Sequence, residues 1–261
     1  MTKIGFIGGG KMAEGILSAM ADTSSVLVAE KVAARAEELV RRYGVEATDS
    51  AAAVAAEAKT IFLAVRPQDV DAVAADVKPL LTASQVLVSI VAGKTLAKLK
   101  KAFGAKVRLV RVMPNLALRA KAGMCAVCPA ANAKPADVKL VRSLLGAAGE
   151  TVVLKERDFD AVTALSGSGP AYFAYMCEAM AEAGERLGLK ADVARLLSEQ
   201  TMYGTAKFLR ESGMDLGKFI DGVCTKGGTT AAGMVRMDVP EFKGIVAATL
   251  EAAAQRSKEL A

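Results

Sequence analysis

No histidine occurs in the 261 residues, so a His-ligated zinc, a Ser-His-Asp triad and an imidazole general base are all excluded. Any proton this chain moves comes from another group. The residues still able to do chemistry start at the first turn. Gly8, Gly10 and Ala13 form a G-x-G-x-x-A pattern within Ile4-Gly5-Phe6-Ile7-Gly8-Gly9-Gly10-Lys11-Met12-Ala13. An apolar run ends at Ile7 and a helical pattern begins by Lys11, which is the context in which such glycines hold a dinucleotide. Gly8 permits the tight turn, Gly10 has no side chain to block a pyrophosphate, and Ala13 lets the helix pack closely. The helix N-terminus offers free N–H groups and partial positive charge to phosphate. Glu30 ends the second apolar run, 22 positions after Gly8. A carboxylate there accepts hydrogen bonds from ribose hydroxyls and repels a 2′-phosphate, yet Lys31 and Arg35 follow and are able to bind one. This loop therefore leaves the choice of nicotinamide cofactor open.

The cysteines point away from metal chemistry. Cys125 and Cys128 make one C-x-x-C, and without a second pair or a histidine they cannot complete a tetrahedral zinc site. They lie in Met-Cys-Ala-Val-Cys, which reads as a buried strand, so core cysteines and no metal are expected.

Positioning these residues requires a particular order of elements. Apolar runs over Lys3–Ile7, Val26–Glu30, Thr60–Val65, Val86–Ile90, Val107–Val112 and Met124–Val127 read as strands. Helical patterns lie between them at Lys11–Met20, Ala33–Arg42, Asp69–Val77, Leu96–Ala102 and Asp137–Leu145. The alternation implies an α/β fold, a Rossmann-type, doubly wound and mainly parallel sheet covered on both faces. The rhythm changes near residue 156, after which no strand pattern is found. Gly169–Leu187 reads as a helix with Ser168 as cap, Pro170 in its first turn and Gly188 at its end. Helices follow at Val193–Glu211, opened by Asp192, at Leu216–Val223 and at Glu241–Glu259. The expected division is a dinucleotide-binding domain over 1–155 and an all-α domain over 156–261. The alanine-rich helices of the second suggest close helix contact across a subunit interface.

Charge and hydropathy narrow the partners. Residues 1–150 hold 21 basic and 13 acidic side chains, net +8, and residues 151–261 hold 13 and 15, net −2. The surplus falls on the half expected to hold a polyanionic dinucleotide. No dense basic cluster with interleaved aromatics occurs, so nucleic acid is not expected as a partner. No apolar stretch reaches the roughly 18 residues that span a bilayer. A strand opens at Lys3, so no signal peptide is expected and the expected location is cytoplasmic.

Four further segments make the pattern specific. Ala64-Val65-Arg66-Pro67-Gln68 and Arg111-Val112-Met113-Pro114-Asn115 each end a strand. Leu165-Ser166-Gly167-Ser168-Gly169-Pro170-Ala171-Tyr172 opens the helical half, and Gly227-Gly228-Thr229-Thr230 lies near its end. Together with the first glycine loop, and over essentially the whole chain, these resemble pyrroline-5-carboxylate reductase in order and spacing. The resemblance implies reduction of 1-pyrroline-5-carboxylate to L-proline, the last step of proline biosynthesis. It implies NADPH as hydride donor in many members, with NADH as the alternative, and a homodimer or larger assembly through the C-terminal helices. Cofactor contacts are implied at Gly8, Gly9, Gly10, Lys11 and Met12, at Ala64, Val65, Arg66 and Pro67, and at Met113 and Asn115. Substrate contacts are implied at Gly227, Gly228, Thr229 and Thr230, with Thr230 matching the threonine that hydrogen-bonds the substrate. Two places depart from the family pattern. Thr225-Lys226 replaces the usual Ser-Pro before the second glycine loop, and Leu116-Ala117 replaces Thr-Pro after Asn115.

The absence of histidine fits that chemistry. A cyclic imine accepts hydride at carbon once its nitrogen is protonated, and that proton can arrive with the imine or from solvent. The chain then supplies orientation and electrostatics. Gly227–Thr230, at the start of a short helix over Ala231–Val235, is placed to hold a carboxylate on backbone N–H groups. The Thr230 hydroxyl is an orienting donor or relay to the ring nitrogen. Two other readings share the scaffold. A β-hydroxyacid dehydrogenase needs a lysine on the helix opening the second domain, and Gly169–Leu187 has none. A dinucleotide-sensing protein that turns nothing over has the same cofactor loop.

Overall fold

The structure is a computed structural model and describes residues 3–260. It divides into two compact units, one running to Ser168 and including the stretch from Ala253 onward, the other Gly169–Ala252.

In the first unit the order is β1 (Ile4–Ile7), α1 (Lys11–Leu17), β2 (Val26–Ala29), α2 (Ala33–Tyr43), β3 (Glu46–Thr48), α3 (Ala51–Glu57) and β4 (Thr60–Leu63). Then come α4 (Val70–Val77), β5 (Val86–Ser89), α5 (Leu96–Phe103), β6 (Arg108–Pro114), β7 (Gly123–Pro129), α6 (Pro135–Gly146) and β8 (Gly149–Val153). The eight strands form one sheet in the order β3-β2-β1-β4-β5-β6-β7-β8. All pairs are parallel except β6 with β7. The strand order reverses between β1 and β4, which is where a doubly wound sheet opens its crevice.

Strand periodicity sorts the core. Phe6, Val28, Phe62, Val88 and Val110 point to one face, with Ile16 of α1 and Leu39 of α2. Their neighbours Ile7, Leu27, Ile61, Leu63, Leu87 and Leu109 point to the other, against Val54, Val70 and Leu99 of α3, α4 and α5. One-residue alternation in a strand buried on both faces produces this partition. Phe6 and Phe62 are cross-strand partners and stack at 4.8 Å. A short helix α7 (Phe159–Val162) and a π-turn (Thr163–Gly167) follow the sheet.

The second unit is helical: α8 (Gly169–Arg186), α9 (Ala191–Ser212), α10 (Leu216–Val223), α11 (Thr229–Met237) and the first part of α12 (Pro240–Leu260). Ser198 Oγ donates to the Cys177 carbonyl at 2.8 Å, tying α9 to α8. Phe208 and Phe219 meet at 5.5 Å, tying α9 to α10.

The fold class is as expected, with local corrections. β3, α3 and β8 were not expected. Ser168 does not cap α8: its backbone is helical (φ −85°, ψ −24°), and its N–H closes the π-turn on the Thr163 carbonyl at 2.9 Å. Asp192 does not open α9 either; it sits in the first turn behind Lys190, the residue with extended angles. Gly188 does end α8, with a left-handed φ of 96°. Cys125 and Cys128 lie buried in β7, and burial pushes the Cys125 thiol up to about 12.

Candidate functional site

The glycine loop is built from three glycines with separate tasks. Gly8 has φ 99°, and a Cβ on it would fall 2.6 Å from the Ala64 carbonyl oxygen beyond β4. Gly10 precedes α1 in extended conformation (φ −69°, ψ −178°), and a Cβ there would meet nothing within 4 Å. Its bareness is not required by the protein's own packing. Ala13 is fully buried under the sheet, as close helix packing requires.

Gly9 lies between them and is held at both ends of its backbone. Its N–H donates to Glu30 Oε2 at 2.9 Å, and its carbonyl accepts from Arg35 Nε at 2.9 Å. The other Glu30 oxygen accepts the Val32 N–H at 2.9 Å. Arg35 is also bonded through Nη1 to Glu38 at 2.6 Å and through Nη2 to Glu14 at 2.8 Å.

Glu14, which sequence reasoning passed over, is the hub. It is 4% exposed and takes bonds from Arg35, Arg42 and the Tyr43 hydroxyl. Burial pushes its carboxyl up, but the bonds from Arg35 and Tyr43 and the charges of Arg35 and Arg42 outweigh that and hold it below the ordinary range. A glutamate on a short helix gives no sign in sequence that three groups elsewhere will converge on it.

A cleft of about 830 Å³ opens where the strand order reverses. Of the expected cofactor residues, Gly8, Gly10, Glu30, Lys31, Ala64, Val65 and Arg66 line it. Gly9, Lys11, Met12, Arg35, Pro67, Met113 and Asn115 are not in its wall. Lys11 is exposed at the first position of α1, and Met12 is half-buried against the core. Pro67 opens a short 3-10 turn closed by Arg66 Nε donating to Asp69 at 2.9 Å. An open approach at Gly10, free N–H groups at the start of α1 and a carboxylate at the end of β2 fit a dinucleotide. Within residues 1–150 the positive charge does not gather at the cleft. The cleft wall has four carboxylates (Glu30, Asp49, Asp69, Asp76) against Lys31 and Arg66, while the basic surplus sits in residues 94–142, with 12 basic side chains and one acidic.

Met113 and Asn115 gather at the end of β6, beside the π-turn. Asn115 Oδ1 accepts the Met124 N–H at 3.1 Å, and its Nδ2 donates to Ser166 Oγ at 3.4 Å. A Cβ on Gly167 would stand 2.5 Å from Met113 Cε, so that glycine makes room for the methionine. One strand pitch back, Arg111 is buried, pairs with Glu156 at 2.8 Å and lies 4.6 Å over the Phe159 ring.

The second glycine loop belongs to the helical unit. The Gly228 N–H donates to the Thr225 carbonyl at 2.9 Å, closing a turn with Gly227 third at φ 74°. Positive φ at that position is what a type II turn needs, and proline is common one residue earlier. Exposed Lys226 stands there. Gly228 then leads α11 from extended conformation (φ −80°, ψ 168°), with Thr229 and Thr230 as its first residues. The first-turn N–H groups have no helical acceptor and point out of the helix end.

The comparisons cover both units. A family model described as pyrroline-5-carboxylate reductase dimerisation matches residues 156–260, and one described as NADP oxidoreductase, coenzyme F420-dependent, matches residues 3–93. Pyrroline-5-carboxylate reductase of Mycobacterium tuberculosis is 36% identical, covering 100% of this chain and 97% of its own. That of Pisum sativum is 36% identical over 98% of this chain and 95% of its own. The solved structure of a pyrroline-5-carboxylate reductase from Coxiella burnetii superimposes with a TM-score of 0.95 at 30% identity, covering 100% and 98% of the two chains. The Plasmodium falciparum pyrroline carboxylate reductase, with NADP bound, gives 0.86 at 28% identity over 99% and 98%. Relatives this similar from end to end place the chain in the pyrroline-5-carboxylate reductase family.

Proposed function

We propose that this chain reduces 1-pyrroline-5-carboxylate to L-proline with NAD(P)H. The end-to-end likeness to reductases of that name carries the reading. When bound, the reduced nicotinamide supplies a hydride to the imine carbon; the ring nitrogen takes a proton, so one C–H and one N–H bond form as the C=N bond is reduced. In this reading Gly10 and the N-terminus of α1 receive the pyrophosphate, with Gly8, Gly9, Lys11 and Met12 shaping the loop. Ala64, Val65, Arg66 and Pro67 wall the cofactor beyond β4, and Met113 and Asn115 stand at the nicotinamide end. Gly227, Gly228, Thr229 and Thr230 hold the substrate. The N–H groups opening α11 take its carboxylate, and the Thr230 hydroxyl orients the ring nitrogen without being the proton's source.

The division at 155/156 into a dinucleotide-binding and a helical substrate domain belongs to the same proposal. So do homodimerisation through the helical unit, a cytoplasmic location and no part for nucleic acid or membrane. Among the described residues no helix is long and apolar enough to cross a membrane. The test is loss of absorbance at the reduced-nicotinamide band when 1-pyrroline-5-carboxylate is added, with L-proline recovered. Cofactor binding without substrate-dependent loss would make the protein a sensor instead.

A further inference from the structure

The two nicotinamide cofactors differ only in a 2′-phosphate on the adenosine ribose, carrying close to two negative charges. In a doubly wound sheet that ribose is received at the end of β2, here Glu30. What counts is which charges there are free to face it.

Glu30 is not a loose surface carboxylate. One oxygen accepts Gly9 N–H and the other Val32 N–H, both at 2.9 Å, so it cannot swing aside without releasing two amides of the glycine loop and the β2–α2 turn. Arg35, the cation best suited to grip a phosphate, is committed elsewhere. All three of its guanidinium nitrogens are engaged, by the Gly9 carbonyl, Glu38 and Glu14. Arg66 is turned to Asp69 at 2.9 Å. Lys31 is then the cation left beside Glu30 in a cleft wall that also carries Asp49 and Asp76.

We infer that this chain discriminates against the 2′-phosphate and takes NADH in preference to NADPH, with the pinned Glu30 as the residue that sets the preference. The inference rests on the dinucleotide half of the proposed function and is independent of the substrate reduced. It sharpens the open choice left by the sequence, because the lock on Arg35 appears only in three dimensions.

The test is a fluorescence titration of the full chain, without substrate, by NADH and by NADPH. The expected Kd for NADH is smaller by about tenfold or more, roughly 1.4 kcal/mol. Glu30→Gln keeps an acceptor for one backbone N–H and removes the charge. It is expected to narrow the ratio by about fivefold or more, mainly through tighter NADPH binding. Lys31→Ala is expected to weaken NADPH while leaving NADH within about twofold. Equal or tighter wild-type binding of NADPH overturns the inference, as does an unchanged ratio in a folded Glu30→Gln protein. If that variant does not fold, the wild-type ratio and Lys31→Ala still decide. NADH preference with no proline formed leaves the inference standing and removes the reductase reading. Binding of neither cofactor removes both.

Discussion

Gly8 and Gly10 are two positions apart and answer to different demands, which makes them separable by experiment. Gly8→Ala forces a side chain into a left-handed φ and against the Ala64 carbonyl, so it is expected to cost the fold about 1–3 kcal/mol or more. Gly10→Val puts its side chain into open space on extended backbone. Its unfolding free energy from urea titration is expected to match wild type within about 0.5 kcal/mol, while cofactor affinity falls about tenfold or more by fluorescence titration. Unchanged affinity would move the pyrophosphate away from this loop. At the second loop, Thr230→Ala is expected to lower kcat/KM by about 10²-fold with cofactor Kd unchanged, the size of a lost positioned hydrogen bond. Rates within a factor of two of wild type would remove Thr230 from the site. These glycines and Ala13 were readable in the sequence because their reasons are local and steric. Glu14 was not, because its burial depends on side chains 21 to 29 positions away folding over it.

Between elements, the Glu14 cluster joins α1 to α2 and, through Arg35, steadies the glycine loop. Its titration gives a signed prediction. The folded carboxyl sits below its ordinary pKa, so its stabilisation is present above that ordinary value and lost as pH falls through the lowered one. Glu14→Gln is expected to cost about 2 kcal/mol near neutral pH by urea unfolding followed by far-UV circular dichroism. The gap between variant and wild type is expected to close as pH falls below about 4. A gap that stays constant to acid pH would mean that packing, not charge, is what Glu14 contributes. The apolar strands and amphipathic helices were legible because composition and period agree, as in Thr60–Leu63 and Leu216–Val223. The missed elements lack that signal. β3 is three residues of edge strand with Glu46 and Ala47 exposed, and α3 is seven residues, mostly alanine. The π-turn escaped for another reason: a single extra residue in a helical stretch leaves the apolar pattern nearly intact.

For the molecule as a whole, the helical unit leaves more apolar surface bare than its own packing accounts for. Phe173 and Tyr175 on α8, Leu196 and Tyr203 on α9 and Ile245 on α12 are each more than half exposed. Monomers rarely carry apolar patches of that extent, and the stretch falls within the match to a dimerisation family model. Leu196 and Tyr203 are seven positions apart on α9, hence on one face. If that face is covered by a second copy, sedimentation equilibrium is expected to give a mass at least twice the 27.0 kDa chain. Leu196→Asp with Tyr203→Asp is expected to shift it toward a single chain. In an isolated chain both positions face water, so the charges cost little there. In an interface each would be buried without a partner, a penalty of several kcal/mol. A double variant that kept the wild-type mass would place the interface on another face of the helical unit, and a wild type already at 27.0 kDa would remove the dimer from the proposal.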